Sequence, residues 1–415
     1  MTSSAMVVAA GACAVLAGSL AILAGDGAFP TSDRLRTTLM NRGYSSDGTL
    51  EFIAQTESES SNPERLAQAV QVYRTLLYRD PANPYRWCDL AEAWQLTGNM
   101  EQARAAFARA TALAPAIPPV QARAGNFYFV TGDADAAIAS YRVVLSLVHD
   151  YDWIVFLNLK RLGLSPRETT TRALPADRET ASNYLRFVFS SGSVGDADLV
   201  WSWICGSKLA DDSTAALFVD YLLSKSAAPH AAEIWANYVG SRRGDFLKPN
   251  LVYNGDFSQT LAPCRLDWRI QTMDGVEARI ESPGAATRNL HIQFNGRANV
   301  DYHHVSQVVC LSPGRYRFRA RIRSDGLTTN SGVQFHVADP TGRLQWSTDA
   351  ILGSHPWMWI EEELSVPPSQ FQTIEIVRRP SEKFDSKIEG SIWIDNVSIE
   401  RAARPHRQVT AKVGR

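Results

Sequence analysis

Between residues 46 and 243 the apolar positions recur at spacings of three and four, the period of helices that bury one stripe. From Asn250 to about Arg401 the period drops to two, in short alternating runs broken by Gly, Pro, Asn and Asp, as strands with one buried face require. The change falls near residue 247. The pattern predicts a helical half followed by an all-β half.

A second period lies inside the helical half. The stretch from Asn83 to Pro115 carries Trp87, Leu90, Ala91, Trp94, Gly98, Ala103, Phe107, Ala110 and Pro115, and a step of 34 residues reaches Ala124, Gly125, Tyr128, Gly132, Ala137 and Tyr141. A step back reaches Ala69, Tyr73, Leu76 and Pro81, with an eroded first helix around Leu50 to Glu59. Small residues at Ala91, Ala103 and Ala110 let paired helices approach, Trp87, Trp94 and Phe107 fill the space between pairs, Gly98 makes the turn and Pro115 stops the second helix. These residues resemble the tetratricopeptide repeat, assigned to residues 46–150. The resemblance implies a superhelix whose groove receives a protein or peptide. Asp89 and Glu92, on the exposed side of the first helix of the best copy, are expected to be solvated. Residues 151–246 lose the period and read as degenerate helical pairs.

In the β half, "NLVYNGDFSQ" and "GSIWIDNVSIE" resemble the first and last strands of carbohydrate-binding modules of families four and nine, within the galactose-binding-like superfamily. "VSQVVCLSPGRYRFRARIRSDG" and "WMWIEEELSVPPSQ" resemble their central strands. The resemblance covers residues 247–401. It implies a jelly roll, non-catalytic glycan binding and, in many relatives, a structural calcium ion. Here Asn254, Asp256 and Asp395 would supply oxygens to such an ion; otherwise the two aspartates serve turns and strand ends. Ser258 stands where relatives commonly carry glutamate. The fold class is therefore a tetratricopeptide-type α-helical solenoid followed by an all-β jelly-roll sandwich.

Alternation assigns one face its chemistry. Arg315, Arg317, Arg319, Arg321 and Arg323 alternate with Tyr316, Phe318, Ala320 and Ile322, and Trp357, Trp359, Glu361 and Glu363 alternate with Met358, Ile360, Leu364 and Val366. If the two strands are neighbours, indoles, guanidinium groups and carboxylates share an outer face. Sugars stack on such rings and share hydroxyls with such charges. The plain alternative is a cross-strand Arg–Glu ladder with Trp over the arginine stems. The candidate carbohydrate-binding residues are Trp357, Trp359, Arg317, Arg319, Arg321, Glu361 and Trp346. Glu362 interrupts the inward set and marks a bulge or an edge. Trp268 is expected in the core and Trp393 outward.

Composition narrows the function. A 45% apolar content supplies real cores, and 42 basic against 43 acidic residues leave a net charge of -1, which removes electrostatic support for nucleic-acid binding. No phosphate loop, zinc-protease helix, nucleophile elbow or dinucleotide fingerprint stands in a suitable context, so an enzyme is not expected. The apolar stretch Met6–Ala24 would rise about 28 Å as a helix. Residues 1–27 are read as a signal peptide or as an anchor that makes the membrane a partner. Residues 402–415 form a basic tail expected to be disordered. Of the five cysteines, Cys264 and Cys310 fall in the β half and pair if the protein is exported; the alternative is two buried thiols. The expected role is an adaptor of the bacterial cell envelope, membrane-anchored or secreted to the periplasm, that joins a protein to a polysaccharide in exopolysaccharide assembly or export. A scaffold without sugar binding and a glycan hydrolase are the rivals.

Overall fold

The computed structural model describes residues 46–284, 287–384 and 386–402. The chain divides into two compact units, Met1–Pro175 and Ala176–Arg415.

The first unit is built from antiparallel helix pairs: α1 (Asp47–Ser58) with α2 (Pro63–Arg79), α3 (Pro84–Leu96) with α4 (Met100–Leu113), and α5 (Pro118–Thr131) with α6 (Ala134–Leu147). Helix α7 (Asp152–Arg161) and a short turn at Pro166–Ala173 follow. Starts are written in the sequence: Asn62 and Asn83 accept from first-turn amides and each is followed by proline, whose missing N–H costs nothing there. Gly98 and Gly132, one repeat apart, both sit at φ 78°, the left-handed conformation that glycine adopts without strain. Ala91, Ala103, Ala110, Ala124 and Ala137 are wholly buried between helices, and Phe107 fills the space beside them. Trp87 and Trp94 are half-buried against a cluster that includes Ala54, Ala69, Leu76 and Leu90.

The second unit opens with two more helical pairs, α8 (Arg178–Ser191) with α9 (Val194–Gly206) and α10 (Asp212–Ser224) with α11 (Ala228–Val239), then a 3-10 turn at Gly240–Arg243. These helices are continuous with the sandwich. Trp235 of α11 meets Tyr253 edge-on at 5.6 Å, and Phe246 meets the same ring at 5.5 Å. Tyr238 donates to Asp212 at 2.6 Å, and Arg242 reaches the same carboxylate at 2.9 Å.

The strands are β1 (Arg269–Ile270), β2 (Val276–Gly284), β3 (Thr287–Asn295), β4 (Tyr302–Val309), β5 (Gly314–Leu327), β6 (Gln334–Ala338), β7 (Gln345–Ser347), β8 (Gly353–Val366), β9 (Gln372–Arg378) and β10 (Glu389–Arg401). They form two antiparallel five-stranded sheets, ordered β1-β4-β9-β6-β7 and β2-β3-β10-β5-β8. Between them lies a core of Trp268, Phe294, Phe318, Phe335, Ile374, Ile376, Ile392 and Ile394, each almost wholly buried. The architecture is thus the helical region followed by a jelly-roll-like sandwich that the sequence predicts.

Two expectations are corrected. Among the described residues no helix is long and apolar enough to cross a membrane, so the membrane is withdrawn as a partner; the Met6–Ala24 stretch on which it rested lies outside the described residues, as does the tail from residue 403. Cys264 and Cys310 are free thiols. Burial raises both thiols, Cys310 to about 12.

Candidate saccharide face and adjoining cavity

β5 and β8 are neighbours, with Arg319 opposite Glu361 and Arg321 opposite Trp359. Along β5 the alternation holds without exception from Arg315 to Ser324: Tyr316, Phe318, Ala320 and Ile322 are buried and the arginines between them are not. β8 is the edge of its sheet, so its inward row is covered only in part. Leu364 and Val366 are buried, whereas Met358, expected inward, is 40% exposed. Glu362 stands in the inward row opposite Phe318 and accepts from the Asp349 amide at 3.4 Å; no register shift falls there, so the edge explains it.

On the outer face the arginines lie over the indoles. Arg319 is 4.7 Å from the centroid of Trp359, Arg321 is 4.8 Å from Trp357, and Arg323 is 4.7 Å from Trp393. Each such stack at an exposed site contributes about 0.5–1 kcal/mol. Glu361 takes Arg317 at 3.3 Å and Arg319 at 3.2 Å. At the other end Trp393 stacks on His291 at 4.6 Å with planes 1° apart, and Glu281 accepts from the Trp393 indole at 3.2 Å and lies 2.8 Å from His291 Nδ1. Burial works against the charge on Glu281, but Trp393, His291 and Arg279 outweigh it and hold its carboxyl below the usual range. Trp359 is nearly half exposed.

Of the candidate residues, Trp357, Trp359, Arg317, Arg319, Arg321 and Glu361 share this face. Trp346 does not: it lies on β7 in the other sheet, packs edge-on against the core ring of Phe318 at 5.3 Å and donates to the Glu363 carbonyl. Trp268 is in the core, where its indole donates to the Asn254 carbonyl at 3.1 Å.

The Arg319 and Trp359 end of the face opens into a cavity of about 340 Å³. Its other walls are the turn from Arg242 to Asp245, the loop from Asn254 to Gln259 and the strand segment from Asn396 to Glu400, where the register of β10 against β5 shifts. Asn254 and Asp256 line it but are engaged locally. Asn254 accepts from the Gln259 amide and donates to Asp267, and Asp256 caps the Ser258 amide. Asp395 accepts from the Asn396 amide and lies 3.8 Å from Arg321. Burial raises the Asp395 carboxyl, and the charge of Asp256 pushes it further the same way. Among the described residues no group of three or more His, Cys, Asp or Glu is arranged to hold a metal ion.

In the first unit a groove of about 500 Å³ is lined by Glu51, Gln55, Ser58, Tyr73, Asp89, Glu92 and Arg123. Asp89 and Glu92 are not simply solvated: Arg123 bridges them at 2.6 and 2.7 Å. Burial raises the Asp89 carboxyl, and although burial opposes the charge on Arg123, the two carboxylates raise its pKa further. Arg123 was legible, since it is Asp89 advanced by one repeat. Arg243, Asp245 and Glu400 were not, because segments distant in sequence bring them to the cavity.

No family model matches the chain, and no curated protein matches it. Among solved structures, one described as "CBM4 structure and function" is similar at 14% identity over 36% of this chain and 99% of its own, with a TM-score of 0.28. TmCBM61 in complex with beta-1,4-galactotriose is similar at 16% identity over 37% of this chain and 99% of its own, TM-score 0.26. PilF of Pseudomonas aeruginosa is similar at 16% identity over 48% of this chain and 94% of its own, TM-score 0.27.

Proposed function

We propose that the chain is a non-catalytic adaptor of the bacterial cell envelope that holds a protein or peptide in the groove of its repeat helices and a polysaccharide on its sandwich, in exopolysaccharide assembly or export. The observation that carries the saccharide half is the outer face of β5 and β8, where Trp357 and Trp359 stand in line with arginines and Glu361 over a rigid sheet. Indole supplies the apolar platform for a sugar ring, and charges of both signs flank it to meet hydroxyls. The groove lined by Glu51, Asp89, Glu92 and Arg123 supports the protein half.

The rival scaffold, a sandwich with no sugar binding, draws on the same contacts, because each indole already has a guanidinium over one face. Affinity electrophoresis of the full chain through gels containing neutral, acidic and amino polysaccharides separates the two. The wild type is expected to be retarded by one of them, and Trp357→Ala/Trp359→Ala to migrate freely while keeping its thermal transition. Free migration of the wild type through every gel would leave the scaffold.

A further inference from the structure

The cavity at the end of the face has charged groups that form no ion pair among the described residues. Arg242 is committed to Asp212, with Tyr238 beneath it, and Arg319 to Glu361. Asp245, Asp256, Glu400 and Arg243 remain without an ion pair among the described residues, an excess of negative charge around a space of about 340 Å³. That volume falls within the range of about 300–1,000 Å³ usual for small-ligand sites. Burial raises the Asp245 carboxyl and Asp256 and Glu400 push it further, against hydrogen bonds from its own amide and from Asn250 that lower it, so a positive charge placed between the three carboxylates is favoured. Among the described residues these carboxylates are not spaced tightly enough to hold a metal ion. The cavity therefore suits a ligand larger than an ion, with its charge at one edge and an apolar face for the exposed indole of Trp359.

We infer that the cavity seats a sugar residue carrying a protonated amine, stacked on Trp359, with the amine held among Asp245, Asp256 and Glu400. This rests on the saccharide reading of the sandwich and names the sugar class. One wall is not part of the sandwich: Arg242 to Asp245 belong to the turn that ends the helical pairs. The Asp212–Arg242 pair fixes that turn, which makes Asp212 a positioning residue. The helical pairs thereby set selectivity for a ligand carried by the sheet.

The test is calorimetric titration of the full chain with a glucosamine trisaccharide, its N-acetylated counterpart, a glucuronate trisaccharide and calcium chloride. Preference for the free amine by about tenfold or more, weakened by added salt, is expected. Glu400→Gln and Asp245→Asn should each erase the preference, and Asp212→Asn should reduce it. Glu400→Gln, in a strand at the cavity rim, is the variant expected to fold if Asp245→Asn does not. Equal binding of the amine and its acetylated form, a preference for glucuronate, or calcium binding with no trisaccharide bound would each overturn the inference. Gel retardation without any trisaccharide binding would overturn it and leave the face standing. Loss of both would overturn the saccharide reading itself.

Discussion

Arg123 Nη2 donates to Asp89 Oδ1 at 2.6 Å across a sequence separation of 34, the length of one repeat, so the two side chains occupy the same position on successive helix pairs. Glu92, one turn along α3, accepts from Nε and Nη2 of the same guanidinium at 2.7 and 2.8 Å. The repeat thus places opposite charges in the groove at one equivalent position. Both side chains are about one-third exposed or less.

The first prediction concerns that pair. A double-mutant cycle with Asp89→Asn and Arg123→Gln, read by urea denaturation, should return a coupling of about 1 kcal/mol. Added salt should reduce it little, because screening acts weakly on partly buried charges. Additive single effects would mean that the bridge does not hold α3 to α5.

Gly125 tests the approach of paired helices. A Cβ built there would lie 2.7 Å from Tyr141 Cε1, and Tyr141 is pinned by hydrogen bonds to Asn126 and Asn158, both at 2.9 Å. Gly125→Ala should therefore lower stability by about 1–3 kcal/mol, despite the better helix propensity of alanine. A rise in the thermal midpoint would show that the ring can move.

Asp267 gives a pH signature. It is wholly buried, and its carboxylate accepts from the Ala262 and Trp268 amides, each at 2.8 Å, and from Asn254 at 3.2 Å. Burial exceeds these donors and pushes its pKa from 3.8 up to about 6. A raised carboxyl pKa favours the protonated folded form. Its contribution is fully present below pH 3.8 and is lost as the pH rises to about 6, on the order of 3 kcal/mol. Urea midpoints of the wild type should fall over this window relative to those of Asp267→Asn; parallel pH profiles would sink the assignment.

Thiol reactivity checks the packing of the opening loop. Arg265 and Leu266 carbonyls accept from the Val308 amide and the Gln307 side chain, both at 2.8 Å, and this holds Cys264 inside. Iodoacetamide at pH 8 should alkylate exposed Cys205 well before Cys264 or Cys310, as read by peptide mass spectrometry. Simultaneous labelling would mean that the loop opens.

Much of this architecture is local, and locality is what a sequence reports. The period of 34 marked Gly98 and Gly132 and the buried alanines; the same step joins Asp89 to Arg123, although the sequence reading left Asp89 solvated. The period of two along Arg315–Arg323 put the arginines on one face because adjacent side chains of a strand must point to opposite sides. Trp268 fell in the core as expected. Other assignments needed the fold. Met358 has the inward parity yet is exposed, since burial depends on what covers an edge strand. Trp346 has the composition of a binding residue but packs against Phe318, because β7 belongs to the opposite sheet.

The sequence by itself determined the order of the helical and β halves, the helix pairs and the outward row of arginines and indoles, all of which follow from spacings of a few residues or from one repeat. Only the tertiary structure decided that Cys264 and Cys310 are raised, free thiols and that Arg243, Asp245 and Glu400 line one cavity with Trp359. The physical reason is that burial, electrostatic field and cavity shape are set by neighbours in space, and here those neighbours come from a helix-ending turn, the opening loop that follows it and a closing strand more than a hundred positions later.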